Sequence, residues 1–211
     1  MSLPHLRDVS SWQGPVNWRQ EKRLVEAVYV KVSEGMSYTD PTAQRRIRNA
    51  TYVRLPVGGY HFCRPGVGSP EAQADRLLAL APLRPGQLRP CLDCEDQTSG
   101  LNQMQLATWY MGAAIRVHKR TGYWPTIYGS PSYLGPLMSE YPHVFGYCPL
   151  WLADYGVKRP TVPPPWSHWA AWQWTDAYQD PAVGRVDDSF LADLSALKIP
   201  LSARAIRAAI L

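Results

Sequence analysis

The sequence predicts an α/β protein: a single small TIM-like barrel. Three observations predict it. The chain has 211 residues, 45% hydrophobic and 18% charged, which suits one sizeable core and not a disordered segment. Short apolar segments of strand type alternate with helical segments across few intervening residues, the pattern of a parallel sheet with helices outside it. Eight such strand segments within about 200 residues fit a small closed barrel better than an open sheet.

The candidate strands cover residues 6–10, 27–33, 56–62, 89–95, 125–128, 150–153, 170–174 and 185–187. The candidate helices cover 18–26, 41–54, 70–81, 102–121, 131–141 and 189–198. Asp40-Pro41, Ser69-Pro70 and Ser130-Pro131 each place a capping oxygen before a proline at the first helical position. In the fourth helix Leu106, Trp109, Tyr110, Ala113 and Val117 form one apolar stripe, and Gly122 is suited to a left-handed cap. After the fifth strand the pattern thins, and the proline-rich stretch VKRPTVPPPWSH leaves no room for a full helix. About five βα units are therefore followed by strands joined mostly by loops.

Composition excludes several functions. No apolar run approaches the ~20 residues of a membrane span, so no membrane insertion is expected. The N-terminal MSLPHLRDVSSWQG has no apolar signal core. The net charge of +5 favours an anionic partner such as cell wall, nucleic acid or a membrane surface. The basic residues are dispersed and no nucleic-acid recognition motif is present. Cys91 and Cys94 form a C-x-x-C, but a second such pair is missing and positions three apart on a strand face opposite ways. Buried, reduced thiols are expected, with no metal and no cofactor. Nine Trp and 12 Tyr against 3 Phe suit wet, concave sites.

In a parallel barrel, chemistry gathers where strands end. Asp8 ends the first candidate strand, Asp93 and Glu95 the fourth, and Asp187 the eighth. Residues two apart on a strand share a face, with Cα atoms ~6.5–7 Å apart. Carboxyls so close raise one another's proton affinity, so one stays protonated as an acid while its neighbour is ionised. Glycosidic bond cleavage needs that division of labour. Each acid alone has a structural alternative: Asp8 as a turn cap, Asp187-Asp188 as a cap on the last helix. Their joint placement is the stronger signal, since strands one and eight are neighbours in a closed barrel.

Lys31 shares a strand face with Tyr29 and Ser33, while Val28, Val30 and Val32 take the helix-facing side. Lys31 then points inward to the acids or snorkels at the rim. Tyr60, Phe62, Tyr128, Trp151, Tyr155, Trp172 and Trp174 lie near strand ends. Each is a core residue or, collectively, part of a platform for sugar rings. Gln173 has an amide suited to sugar hydroxyls or an N-acetyl group. His61 reads as a satisfied structural histidine.

DVSSWQG at 8–14, VKVSEG at 30–35, GGYHF at 58–62, LDCED at 92–96, IYGS at 127–130, PLWLADY at 149–155, WQWT at 172–175 and VDDSF at 186–190 occur in that order. With these segments the chain resembles glycoside hydrolase family 25, the Chalaropsis-type lysozymes, which include many bacteriophage endolysins. The resemblance spans about residues 4 to 198. It implies a (β/α)5(β)3 barrel and N-acetylmuramidase activity on the β-1,4 bond between N-acetylmuramic acid and N-acetylglucosamine. It also implies Glu95 as general acid, with Asp93, Asp8 and Asp187 as the other active-site carboxylates. Lys31, Tyr60, Tyr128, Trp151 and Gln173 match positions assigned to substrate binding. Cys94 departs from the small aliphatic residue usual between the two acids, and by parity faces the helices. Asp188 beside Asp187 leaves two acids competing to point inward, and the V-D match favours Asp187.

Two routes then follow protonation by Glu95. The substrate's N-acetyl carbonyl attacks the anomeric carbon with Asp93 orienting it, or Asp187 or Asp8 activates water or attacks directly. A chitinase-like N-acetylhexosaminidase and a non-catalytic wall-binding barrel are the rival functions. The expected partner is the peptidoglycan glycan strand, met by a monomer. Residues 1–198 form the expected catalytic barrel, and 199–211 a tail or linker. A phage enzyme made in the host cytoplasm and released to the wall is the expected setting.

Overall fold

Strands rich in β-branched residues set the frame. In the computed structural model, which describes residues 3–97 and 99–200, β1 (His5–Val9) is followed by α1 (Trp18–Glu21), β2 (Ala27–Glu34), β3 (Tyr38–Thr39) and α2 (Ala43–Tyr52). Next come β4 (Val57–Phe62), α3 (Pro70–Leu80), β5 (Cys91–Asp93), α4 (Gln103–Thr121), β6 (Thr126–Gly129), α5 (Pro131–Met138) and α6 (Pro142–Phe145). The chain then forms β7 (Leu150–Ala153), β8 (Ala171–Asp180), β9 (Gly184–Leu191) and α7 (Leu194–Leu197). β1 pairs with both β2 and β9, which closes eight strands into a barrel; β3 is a short flap on β2. No helix among the described residues is long and apolar enough to cross a membrane.

The strands from β1 through β8 in the ring run parallel, as the alternation predicts. The eighth does not: β9 is antiparallel to both β8 and β1. Only residues 181–183 separate β8 from β9, and so short a link makes a hairpin, never a parallel crossover. Asp187 therefore sits inside a strand and does not end one. Residues 189–191, expected in the last helix, continue β9, because Ser189 pairs with Leu6 and Gln173 while Phe190 pairs with His5 and Trp172. The helix that remains is α7, capped by Asp193 accepting from the Ala196 amide.

Other boundaries shift for local reasons. Asp40 accepts from the Thr42 and Ser11 amides, so it folds the turn before α2 and the helix starts later than expected. Ser69 caps α3, whereas Ser130 makes no capping bond to α5. The stretch 131–141 breaks after Met138 and restarts at Pro142. α4 begins with a reciprocal Asn102–Gln105 capping box and ends at Gly122 with φ 80°.

Two cores result. Val28, Val30 and Val32 pack outward with Leu77, Tyr110, Ala113 and other helix residues. Each fully buried valine contributes roughly 1.5–3 kcal/mol of transfer free energy. Inside the barrel Leu6, Tyr29, Leu88, Cys91, Tyr128, Trp151 and Leu191 form a second cluster. Tyr29 stacks on Trp151 at 4.8 Å and donates to the Arg89 carbonyl, plugging the interior. Cys91 faces this inner cluster and Cys94 the outer one, and all four cysteines are free and buried. Ile199 bonds to Gly86 and Gln87, so the packed chain reaches past 198; residues 201–211 of the expected tail lie outside the described residues.

No helix follows β8. Instead register shifts bend the β8–β9 hairpin so that Tyr178 and Val183 pack on the outer core. Its turn is tied to α1 where the Asn17 amide donates to the Ala182 carbonyl. Arg7, buried beneath, donates to Asp180 at 2.9 Å and to Asp188, and lies 4.5 Å from the Tyr178 ring centroid.

Glu21, at the end of α1, is 1% exposed. Burial, then repulsion from Asp180, push its carboxyl up to about 7, with Arg7 opposing. The folded chain thus keeps a proton that the unfolded chain releases near 4.5, and stability falls as pH rises across that window. Glu21→Gln is expected to lose roughly 3 kcal/mol less than the parent between pH 4.5 and 8. Urea denaturation across that range checks this, and parallel stability curves for the two proteins would refute it.

Candidate active site

The mouth of the barrel lies at the C-terminal ends of its parallel strands. Asp8 enters from β1, Lys31 from β2, Tyr60 from β4, Asp93 from β5, Tyr128 from β6 and Gln173 from β8. Antiparallel β9 brings Asp187 to the same level, directly opposite Asp8. Glu95 stands two residues past β5. That turn needs room. A Cβ at Gly129 would stand 2.6 Å from the Cys94 carbonyl oxygen, so glycine in β6 lets the Asp93–Glu95 backbone pass close by.

The four carboxyls differ in environment. Asp8 is 5% exposed, and burial, then Asp187, raise its proton affinity well above the ordinary range. A hydrogen bond joins Asp8 to Asp187; it raises the former and lowers the latter. Asp187 is half-buried and is itself raised, chiefly by desolvation. Asp93 is buried and strongly raised by burial, then by Glu95. Its Oδ1 is buried with no hydrogen-bond partner. Glu95 is solvent-exposed at the mouth, yet desolvation at its base still raises it, with Lys31 opposing and Asp187 adding to the rise.

Gln173 links this cluster to the aromatic wall. Its Nε2 donates to Asp8 Oδ2 at 2.8 Å. Its Oε1 accepts from Tyr128 at 2.7 Å and from the Tyr155 hydroxyl. At 1% exposure its amide is buried and engaged with Asp8, Tyr128 and Tyr155. Trp151 is also buried, donating to Ser189 Oγ at 3.0 Å and stacked on Tyr29. Tyr60 lies close to Asp8, Asp93 and Asp187; burial, then Asp8, push its phenol up, so it stays neutral beside them.

Lys31 reaches the mouth but bonds to Glu34 Oε2 at 2.7 Å. Arg64 donates to Glu34 Oε1 at 2.7 Å and to Asp96 at 3.1 Å. Phe62 lies between the two cations, 5.1 Å from Lys31 and 4.5 Å from Arg64. Sequence reasoning left Glu34 and Arg64 out; their signal was the acid three residues after Lys31 and the basic residue two positions after the GGYHF segment. Trp12, also passed over, is 89% exposed just past β1. His61 is a structural group: its ring pairs with Ser33 Oγ and Gln73 Oε1, and burial lowers it to about 4.

Asp188 points away from the site. It is buried against Arg7, accepts from Trp174 Nε1 at 2.8 Å and meets His5 Nδ1 at 2.9 Å. Of the two adjacent acids, Asp187 is the inward one. Among the described residues no group of His, Cys, Asp and Glu is arranged to hold a metal ion. Neighbouring carboxyls of differing environment around one mouth, one of them a buried acceptor lacking a partner, suit acid-assisted cleavage of a glycosidic bond.

Comparison with known proteins gives a consistent result. The profile of Glycosyl hydrolases family 25 matches residues 7–183. Lysozyme M1 of Streptomyces globisporus is 32% identical over 188 residues, covering 85% of this chain and 62% of that protein. The N,O-diacetylmuramidase of a Chalaropsis species is 32% identical, covering 81% of this chain and 87% of that protein. The crystal structure of the bacterial lysozyme from Streptomyces coelicolor superposes with a TM-score of 0.85 at 29% identity, covering 93% of this chain and 96% of that one.

Gln173→Leu removes a donor to Asp8 and the shared acceptor of the Tyr128 and Tyr155 hydroxyls. It is expected to lower unfolding free energy by about 1–3 kcal/mol. Tyr128→Phe should cost less, because Tyr155 still donates to the Gln173 carbonyl. Urea denaturation of both variants checks the order, and a costless Gln173→Leu would sink the linking role.

Proposed function

The chain belongs to glycosyl hydrolases family 25, and from that premise we propose that it hydrolyses peptidoglycan as an N-acetylmuramidase. The bond cleaved is the β-1,4 link between N-acetylmuramic acid and N-acetylglucosamine. The observation that carries the mechanism is the pairing of Glu95, raised and reachable at the mouth, with Asp93, whose buried Oδ1 has no partner. Glu95 donates its proton to the leaving glycosidic oxygen. A 2-acetamido N–H supplies the donor that Asp93 lacks, which turns the acetamido carbonyl toward the anomeric carbon. Attack by that carbonyl expels the leaving group, and water then opens the intermediate with Glu95 as base. Ionised Asp187 supplies negative charge facing the oxocarbenium-like transition state.

Tyr60 and Tyr128 sit where they border the sugar subsite, with Lys31 beside Glu95. Gln173 and Trp151 support this lining from below. The chain acts as a monomer on the glycan strand, and its +5 charge speeds encounter with an anionic wall in a salt-sensitive way. The setting we assign is a phage endolysin, made in the host cytoplasm and released to the wall.

Digestion of purified peptidoglycan, with mass spectrometry of borohydride-reduced products, tests this reading. Fragments ending in reduced muramic acid are expected, and Glu95→Gln should be ~10²-fold or more slower. Because Glu95 works protonated, kcat/KM should fall as pH rises through its raised value, and this alkaline limb should vanish in the variant. Fragments ending in reduced glucosamine, or chitin oligosaccharides cleaved as fast, would favour the hexosaminidase. Binding to wall without release of fragments would favour a binding barrel. Retention at the anomeric carbon is expected; inversion would transfer the second role to water activated by Asp187.

A further inference from the structure

The seam between β1 and β9 carries two charged pairs back to back. Arg7 is the register partner of Asp188, and Asp8 is the register partner of Asp187. Strand alternation turns Asp8 and Asp187 into the barrel and Arg7 and Asp188 out beneath the β8–β9 hairpin. The inner pair is held by its hydrogen bond while one proton is present, but has reason to separate once both carboxyls ionise, with Asp93 nearby adding to the repulsion on Asp8. The outer pair has reason to stay. Arg7 Nη1 donates to Asp188 Oδ1, while Nε and Nη2 both donate to Asp180 Oδ2 at 3.3 and 2.9 Å. Asp188 Oδ2 accepts from Trp174 Nε1 and meets His5. Asp180 Oδ1 accepts from the Ala182 and Val183 amides, so the hairpin turn is locked into the same cluster.

Arg7 and Asp188 are both buried, and a buried, fully bonded ion pair tolerates little change in distance. Each is bonded through the backbone to one member of the inner pair. A shift of the outer pair along the seam therefore moves the inner carboxyls by a similar amount. Distance is the means of action here: the charges acting on Asp8 are Asp187 and Asp93, on its own side of the sheet.

We propose that Arg7 and Asp188 are positioning residues, a clamp on the outer face of the β1–β9 seam that sets the separation of the Asp8 and Asp187 carboxyls. The catalytic consequence rests on the function proposed above, in which Asp187 faces the reacting sugar.

The test uses the full chain and Arg7→Met/Asp180→Asn/Asp188→Leu, which removes the guanidinium together with both carboxylates it pairs, while the amide at position 180 keeps an oxygen for the Ala182 and Val183 amides. Replacing a buried ion pair in this way is often neutral for folding. Two readouts are taken on protein shown to be folded by circular dichroism. The first is kcat and KM on solubilised peptidoglycan. A misplacement of about 1 Å costs ~10²-fold in rate, so kcat is expected to fall by that order while KM stays within about twofold. Arg7→Lys, which keeps the charge but not the two-pronged contact, should retain more activity than Arg7→Met. The second readout is independent of activity: carboxyl carbon NMR titration of Asp8 and Asp187. Their two titrations should draw together in the triple variant as the pair separates. Wild-type kcat and an unchanged titration in the folded triple variant would overturn the clamp. If the parent cleaves no peptidoglycan, the functional reading fails by itself, and the titration alone decides the clamp.

Discussion

Closure of the barrel depends on one antiparallel seam. Seven strands run the same way, and a parallel eighth would need a crossover of a dozen or more residues. The chain makes the turn in three, between Asp180 and Gly184, and so returns in the opposite sense. That reversal brings Asp187 to the mouth although it lies early in its strand. It also frees the hairpin to bend outward and cover β1 and β9, the place a helix would fill in a regular barrel. Closure, cover and the meeting of Asp8 with Asp187 follow from a single short link.

The site combines carboxyls that water would level. In solution all four would ionise near the same pH. Here Asp8 and Asp93 are buried, Asp187 is half-buried and Glu95 stands in the open mouth. Desolvation is the largest cause of the rise at each, but neighbours differ: a hydrogen bond pulls Asp187 back down, and Lys31 and Arg64 restrain Glu95. Different proton affinities within one cluster are what acid catalysis requires. The aromatic wall contributes indirectly, since Tyr128 and Tyr155 hold Gln173 and Gln173 holds Asp8.

Much of this was legible in the chain, and what was not has a physical reason. Val28, Val30 and Val32 alternate with Tyr29 and Lys31, so the two faces of β2 could be read directly. The acids at strand ends were legible because a parallel barrel collects its chemistry there. The sense of the last strand was not, because β8 and β9 lengthen by pairing with each other, and β9 also pairs with β1, a contact that spans the whole sequence. Gln173 was visible as an inward amide, but its partners come from positions 8, 128 and 155. Alternation alone could not choose between Asp187 and Asp188. Register against Arg7 makes the choice, since a buried guanidinium demands the carboxylate on its own side.

The stacked Tyr29 and Trp151 rings, with Leu6, Leu88 and Leu191 around them, stopper the barrel below its carboxyls. Nothing longer than the depth of the mouth can pass through. A polymer that reaches the acids therefore enters and leaves on the same side of the barrel.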